Sequence, residues 1–337
     1  MTLTSCLGKA LEMRADAIVS WTQEGTDSYR VFHGAVEGRP GLTVDRYGPL
    51  TLAQVAGFHP LTASEQEQLE SFLAELGGAP VLAARDGAKL TLLKECTSGV
   101  WSSTVWCREM GLDFAINLSK AHRDPQLFLD FRAAKRAMLG VLAELGEGAS
   151  VLNLFAYTCS VSCHAAGAGA SEVWSADFSS GNLGWGQKNF RRNRLSAGAG
   201  LFLEQDCIGL LWALTGNHKA LSRRREFKTR LAPRQFDLVV VDPPAWSKGK
   251  FATVDLVRDP ETVFAPAWEV VAPGGLLVAA NNSAKVTRSE FGERLSRMLA
   301  KRSEAGECRS LTWVTPDQDF PSFDGEYPLK VALRRKV

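Results

Sequence analysis

Five short apolar runs in the second half of the chain constrain the fold more than any other feature: Ser150–Phe155, Glu172–Asp177, Leu201–Asp206, Phe236–Asp242 and Gly275–Asn281. Helical periodicity fills the gaps between them, and strands alternating with crossover helices form a parallel α/β sheet. Each run ends in or just before a polar residue. Ligands of open α/β sheets bind outside the carboxyl ends of the strands, so Asn153, Asp177, Asp206, Asp242, Asn281 and Asn282 should share one rim. Before residue 118 the pattern differs. Strand-like runs at Tyr29–Gly34, Leu42–Asp45, Leu50–Val55 and Leu90–Leu93 sit between turn signals, and one amphipathic helix at Ser64–Leu76 interrupts them. The expected organisation is a helical extension over 1–24, with a short helix near Lys9–Ser20, a small α+β domain over 25–118 and the α/β domain over 119–337.

Composition removes several classes. The chain has 337 residues, 45 % of them apolar and 23 % charged, and no apolar run approaches the roughly 18 residues of a membrane span. The first residues lack the basic start and cleavage site of a signal peptide, and a cytoplasmic location is the expectation. Seven scattered cysteines with no C-x-x-C pair read as reduced thiols, and no metal site is expected. A net charge of +2 neither requires nor excludes a nucleic-acid partner.

An acidic residue closing the second strand is where a ribose is held by its hydroxyls, and Asp177 has that position. The loop after the first strand lacks G-x-G-x-x-G, which favours a nucleoside ligand without pyrophosphate. Asp177 could instead cap the following helix. Asp206 has the same two readings, an acceptor for an adenine amino group or a cap. Asp242-Pro243-Pro244 follows a continuous apolar strand, where two prolines stop the strand and stiffen the chain above the sheet.

These residues, with Phe32-His-Gly, Gly41-Leu-Thr-Val-Asp45-Arg46-Tyr47-Gly48, Leu127-Phe128-Leu129-Asp130-Phe131-Arg132 and Asn153-Leu-Phe-Ala-Tyr-Thr158, resemble the class I S-adenosylmethionine-dependent methyltransferases. More closely, they resemble bacterial 23S ribosomal RNA methyltransferases with an extra N-terminal α+β domain, over about residues 28–335. The resemblance implies a Rossmann-like class I methyltransferase sheet with S-adenosylmethionine as cofactor and ribosomal RNA as partner. By the same resemblance Phe128, Asp130 and Arg132 border the methionine end. Asn153, Phe155, Ala156, Tyr157 and Thr158 belong to the first cofactor loop, Asp177 takes the ribose, Asp206 takes the adenine, and Phe178, Asp242 and Pro243 adjoin the cofactor. Pro125-Gln126 stands where the family has Thr-Gly, and Cys159 is a second departure. The RNA-binding PUA domain of many relatives is expected to be missing, since there is no room for it before Tyr29.

Methylation of cytosine C5 needs a cysteine that attacks C6, and relatives of that type carry it just after the fifth strand. Here that segment reads Ala279-Ala-Asn281-Asn282-Ser-Ala-Lys285, while Cys159, Cys163 and Cys207 lie on the first and third loops and read as packing. Guanine N7 has an in-plane lone pair and attacks a sulfonium methyl directly, so positioning is most of its catalysis. The Asn-Asn pair and the stretch Asp242–Asp259 look most like the guanine-N7 half of the bifunctional 23S enzyme. That reading puts Asp242 and Asn282 at the reacting base, with Pro244 and Asn281 beside it. Trp246 or Phe251 stacks on the flipped base, and Lys248, Lys250 and Arg258 hold phosphates. The alternatives are a cytosine-C5 enzyme, a non-catalytic protein that binds cofactor and RNA, and a small-molecule methyltransferase. Basic stretches at Lys219–Arg234 and Arg191–Arg194 are expected at the edge opposite the active rim.

Overall fold

A computed structural model of the chain describes residues 2–87, 89–121, 124–146, 148–196, 200–217, 231–302 and 311–337. It divides into two compact units, Met1–Arg132 with Pro316–Gly325, and Ala133–Thr315 with Glu326–Val337. The basic residues from Lys219 to Arg230 lie outside the described residues.

The first unit begins with two helices, α1 (Leu3–Met13) and α2 (Ala15–Gln23), where the sequence suggested one. Arg14 separates them: its buried guanidinium donates to the Ala10 carbonyl and pairs with Glu37 at 2.6 Å. A five-stranded sheet follows in the order β1 (Ser28–His33), β2 (Leu42–Tyr47), β3 (Leu50–Ala56), β4 (Ala79–Asp86), β5 (Lys89–Glu95). Helix α3 (Ala63–Leu76) links β3 to β4, and a capping box between Thr62 and Glu65 starts it. Periodicity missed β4. Its Val81-Leu82-Ala83 centre is buried on both faces, and it pairs parallel to β3, so no alternation marks it. A small hairpin, β6 (Val105–Glu109) and β7 (Leu112–Ile116), and the short α4 (Leu118–Ala121) complete the early part of this unit.

The segment Pro316–Gly325 returns to this unit through Arg132. That guanidinium is fully buried and donates to Asp317 at 2.7 Å, to both oxygens of Asp319 at 2.8 and 2.9 Å, and to the Ser28 carbonyl at 2.7 Å. The Trp21 ring lies 4.5 Å from its Cζ. Arg132, expected beside the methionine end, is thus a buried cross-brace within the first unit.

The second unit carries a seven-stranded sheet in the order β10-β9-β8-β11-β14-β16-β15. The strands are β8 (Ser150–Leu154), β9 (Glu172–Asp177), β10 (Gly200–Glu204), β11 (Phe236–Val241), β14 (Val271–Asn281), β15 (Thr312–Val314) and β16 (Lys330–Arg335). The first five, those expected from the sequence, pair parallel, and β16 runs antiparallel to both of its neighbours. Helices α5 (Arg132–Leu145), α6 (Ser160–Gly167), α7 (Ser180–Arg192), α8 (Cys207–Leu214), α9 (Glu261–Glu269) and α10 (Arg288–Ala300) accompany it. The core is built on β11, whose Leu238-Val-Val-Val241 is wholly buried, and on Phe264, Trp268 and Phe291 from α9 and α10. A second hairpin, β12 (Trp246–Lys248) and β13 (Thr253–Asp255), leaves the sheet after Asp242-Pro-Pro.

Asp319→Ala should destabilise the chain by about 3–5 kcal/mol, because it strands a buried guanidinium. Chemical denaturation followed by tryptophan fluorescence checks this, and a loss below about 1 kcal/mol would show that Arg132 is no cross-brace.

Candidate active site

The carboxyl ends of β8, β9 and β10, with the hairpin after β11, frame a cleft of about 430 Å³ in the second unit. Phe155, Phe178, Cys207 and Ile208 line it together with Gln205 and Asp206, and the hairpin contributes Ser247 to Phe251. Phe178 is 70 % exposed at its mouth.

The β8–α6 loop has an unusual backbone. Phe155, Tyr157 and Cys159 all take positive φ, at 57°, 48° and 61°. Each such non-glycine residue costs on the order of 1 kcal/mol, and strain of this kind gathers at sites that need a fixed shape. Hydrogen bonds hold the shape: Ala156 N donates to the Ala176 carbonyl, Tyr157 N to Asp177 Oδ2 at 2.9 Å, and Phe155 N to Cys207 Sγ. Ala156 and Thr158 are buried inside the loop, and Phe155 and Tyr157 are half-buried.

Asp177 closes β9 and accepts three donors, Tyr157 N on Oδ2, and Ser179 N and Asn182 Nδ2 on Oδ1. Burial raises its pKa, and the two backbone N–H groups pull the other way. A carboxylate has about four acceptor sites, so Oδ2 retains one. This arrangement suits a ribose hydroxyl, and Phe155, Phe178 and Ile208 suit a flat heterocycle.

Asp206 differs. Its Oδ1 accepts from Ile208 N at 3.0 Å and Gly209 N at 3.2 Å, capping α8, and its Oδ2 accepts from Lys250 N at 2.8 Å and Phe251 N at 3.4 Å. Backbone donors use all four of its acceptor sites, so of its two expected readings the cap is present in the free chain.

Asp242 follows β11 on the same rim, half-buried, with Pro243 buried and Pro244 exposed. Asn282 is exposed after β14 and donates from Nδ2 to the Pro243 carbonyl at 3.3 Å, which joins two predicted site segments. Trp246, 62 % exposed, and the exposed Lys248, Lys250 and Arg258 lie on or just after the hairpin.

Other expected residues have different duties. Asn153 is buried within β8 and donates to Ser162 Oγ at 2.9 Å, bracing β8 on α6 below the rim. Asn281 is fully buried, donates to the Leu256 carbonyl and accepts from Ser283 N, so it anchors the hairpin's base and presents nothing to a substrate. Phe251 is buried and packs edge-on against Trp212 with ring centroids 6.0 Å apart, which removes it as a stacking platform. Phe128 and Asp130 belong to the first unit, with Phe128 44 % exposed and Asp130 contributing to the field at Arg30. Arg191 and Arg192 are exposed at the end of α7 farthest along the chain from the rim. Sequence reasoning missed Gln205 and Ile208. Both flank Asp206, and the rule that ligands gather after strand ends could have included them.

A family model described as S-adenosylmethionine-dependent methyltransferase matches residues 29–333. A protein named ribosomal RNA large subunit methyltransferase from Deinococcus radiodurans is 30 % identical over 341 residues, covering 97 % of this chain and 78 % of its own length. Another, named ribosomal RNA large subunit methyltransferase K/L, from Shewanella amazonensis, is 31 % identical over 287 residues, which are 82 % of this chain but only 37 % of that longer protein. The fold matches a methyltransferase solved in complex with S-adenosylhomocysteine at a TM-score of 0.76 and 19 % identity, covering 99 % of this chain and 82 % of that one. The chain belongs to the S-adenosylmethionine-dependent methyltransferase family.

Proposed function

We propose that the chain is a cytoplasmic enzyme that methylates large-subunit ribosomal RNA at guanine N7. The relatives' names supply the RNA class. One observation favours N7 over cytosine C5: among the described residues, no thiol around the rim is set up as a nucleophile. Burial pushes the Cys159 thiol up to about 12, raises Cys163 well above its ordinary value and raises Cys207 as well. Only the thiolate attacks carbon, and these sulfurs stay protonated at neutral pH.

The cofactor, when bound, supplies an electrophilic methyl on a sulfonium. The chain's own part is to hold and orient. Asp177 offers its remaining acceptor to a ribose hydroxyl, and the strained β8–α6 loop fixes the wall beside it. Asn282, tethered through Nδ2 to the Pro243 carbonyl, has its polarity set: Oδ1 faces away from that bond as an acceptor, suited to the N–H edge of guanine. The Asp242 carboxylate, next to Pro243, favours the positive charge that moves from sulfur to the purine. Trp246 supplies an exposed ring for a flipped base, and Lys248, Lys250 and Arg258 supply cations for phosphates.

The test is methyl transfer from labelled cofactor to deproteinised 23S RNA lacking the modification, with nucleoside mass spectrometry of the product. 7-Methylguanosine is expected, and 5-methylcytidine would replace this reading with the covalent one. Asn282→Ala should lower kcat by about 10–100-fold with cofactor affinity nearly unchanged, because positioning acts on the reacting base. An unaltered kcat would take Asn282 out of the site. Iodoacetamide at pH 8 should label the exposed Cys96 at least about 100-fold faster than Cys159, Cys163 or Cys207, by peptide mass spectrometry. Fast labelling of any of these three would reopen the C5 reading.

A further inference from the structure

The hairpin β12–β13 carries Trp246, Lys248 and Lys250, yet it is a two-stranded ribbon of three residues a side. Isolated ribbons of that size are not stable in water, so something must hold it. Two pins do. At the base, Asn281 Nδ2 reaches the Leu256 carbonyl, and Leu256 N reaches the Ala245 carbonyl. At the tip, the amides of Lys250 and Phe251 converge on Asp206 Oδ2.

The packing at the tip has little tolerance. A Cβ at Gly249 would collide with Asp206 Oδ2 and come 2.9 Å from the Ala252 carbonyl, and a Cβ at Gly209 would stand 2.7 Å from the Phe251 ring. Both glycines sit where the hairpin presses onto the start of α8. The ring of Phe251 fills the space above Gly209 and meets Trp212.

We infer that Asp206 is a positioning residue for the substrate hairpin: its second oxygen staples the hairpin tip to the cleft wall, and it does not read the adenine amino group. The first oxygen caps α8, so one carboxylate fixes helix and hairpin in a single frame. Trp246, Lys248 and Lys250 are presented to RNA only while that frame holds. The link to RNA rests on the function proposed above. The staple itself is a property of the free protein.

Two variants of the full chain separate the possibilities. Asp206→Ser keeps an oxygen for capping α8 but lacks the second oxygen for the tip. Gly249→Ala leaves Asp206 intact and wedges the tip away. Hydrogen–deuterium exchange of the ligand-free proteins should accelerate at residues 249–252 by about tenfold or more in both variants, with the α8 amides still protected. The KM for 23S RNA should rise about tenfold in both variants, and the Kd for S-adenosylmethionine by calorimetry, read in a cleft that the hairpin tip helps to line, should agree within about threefold between Asp206→Ser and Gly249→Ala, which keeps the carboxylate. Unchanged hairpin exchange in both variants overturns the inference. So does a cofactor Kd at least about tenfold weaker in Asp206→Ser with the tip still protected, the signature of an adenine contact. Exchange and cofactor affinity are read without RNA, so wild-type protein that transfers no methyl to RNA sinks the substrate reading while the staple is still decided by exchange.

Discussion

Backbone N–H groups at the ends of buried parallel strands must find acceptors, and the side chains just past those ends meet that demand before they meet any ligand. Asp177 takes the Tyr157 and Ser179 amides, Asp206 takes four amides, and Asn281 takes that of Ser283. Leaving such a group dry costs about 1–3 kcal/mol, so these contacts hold the loops in place. Among the described residues, what the rim has left for a ligand includes a lone pair on Asp177, the amide oxygen of Asn282, and apolar surface on Phe155, Phe178 and Ile208. The cleft's chemistry follows from its folding.

The same economy shapes the hairpin. A ribbon this short needs fixed points, and the chain draws them from residues that the sheet has already made rigid, Asn281 at the end of β14 and Asp206 at the start of α8. Trp246, Lys248 and Lys250 can then project from a small element with little ordering cost left to meet on binding a ligand. In the first unit Arg132 works alike, holding the distant Asp317–Asp319 segment against β1 through a buried ion pair.

Strand content and rim position were legible in the sequence because continuous apolar runs ending in Asp or Asn leave a local signature at Asp177, Asp206, Asp242 and Asn281. The edge strand β15, the antiparallel β16 and the return of Pro316–Gly325 left none, since they are fixed by partners distant in the chain. Site roles were legible by type but not by burial. Arg132, Asn153 and Asn281 carry functional-looking groups, yet each is buried and committed to structure. Phe251 failed as a stacking ring for the same reason. Sequence shows which groups are present. It does not show which of their hydrogen bonds are already made.

The two departures from the family pattern follow the same logic. Gln126 and Cys159 adopt φ of 71° and 61°, a region that favours glycine. Each is held there: Gln126 N donates to Asp124 Oδ1, its Oε1 accepts from Asn117 N, and Cys159 N donates to the Ala156 carbonyl. Cys159 Sγ also occupies the space beside Gly186, where a Cβ would collide with it. Side-chain contacts thus sustain a backbone path that glycine follows without strain. Strain of this kind persists only where the surrounding structure over-determines the loop. Hydrogen bonds therefore stand in for the freedom of glycine at both positions, Gln126 in the first unit and Cys159 in the loop after β8.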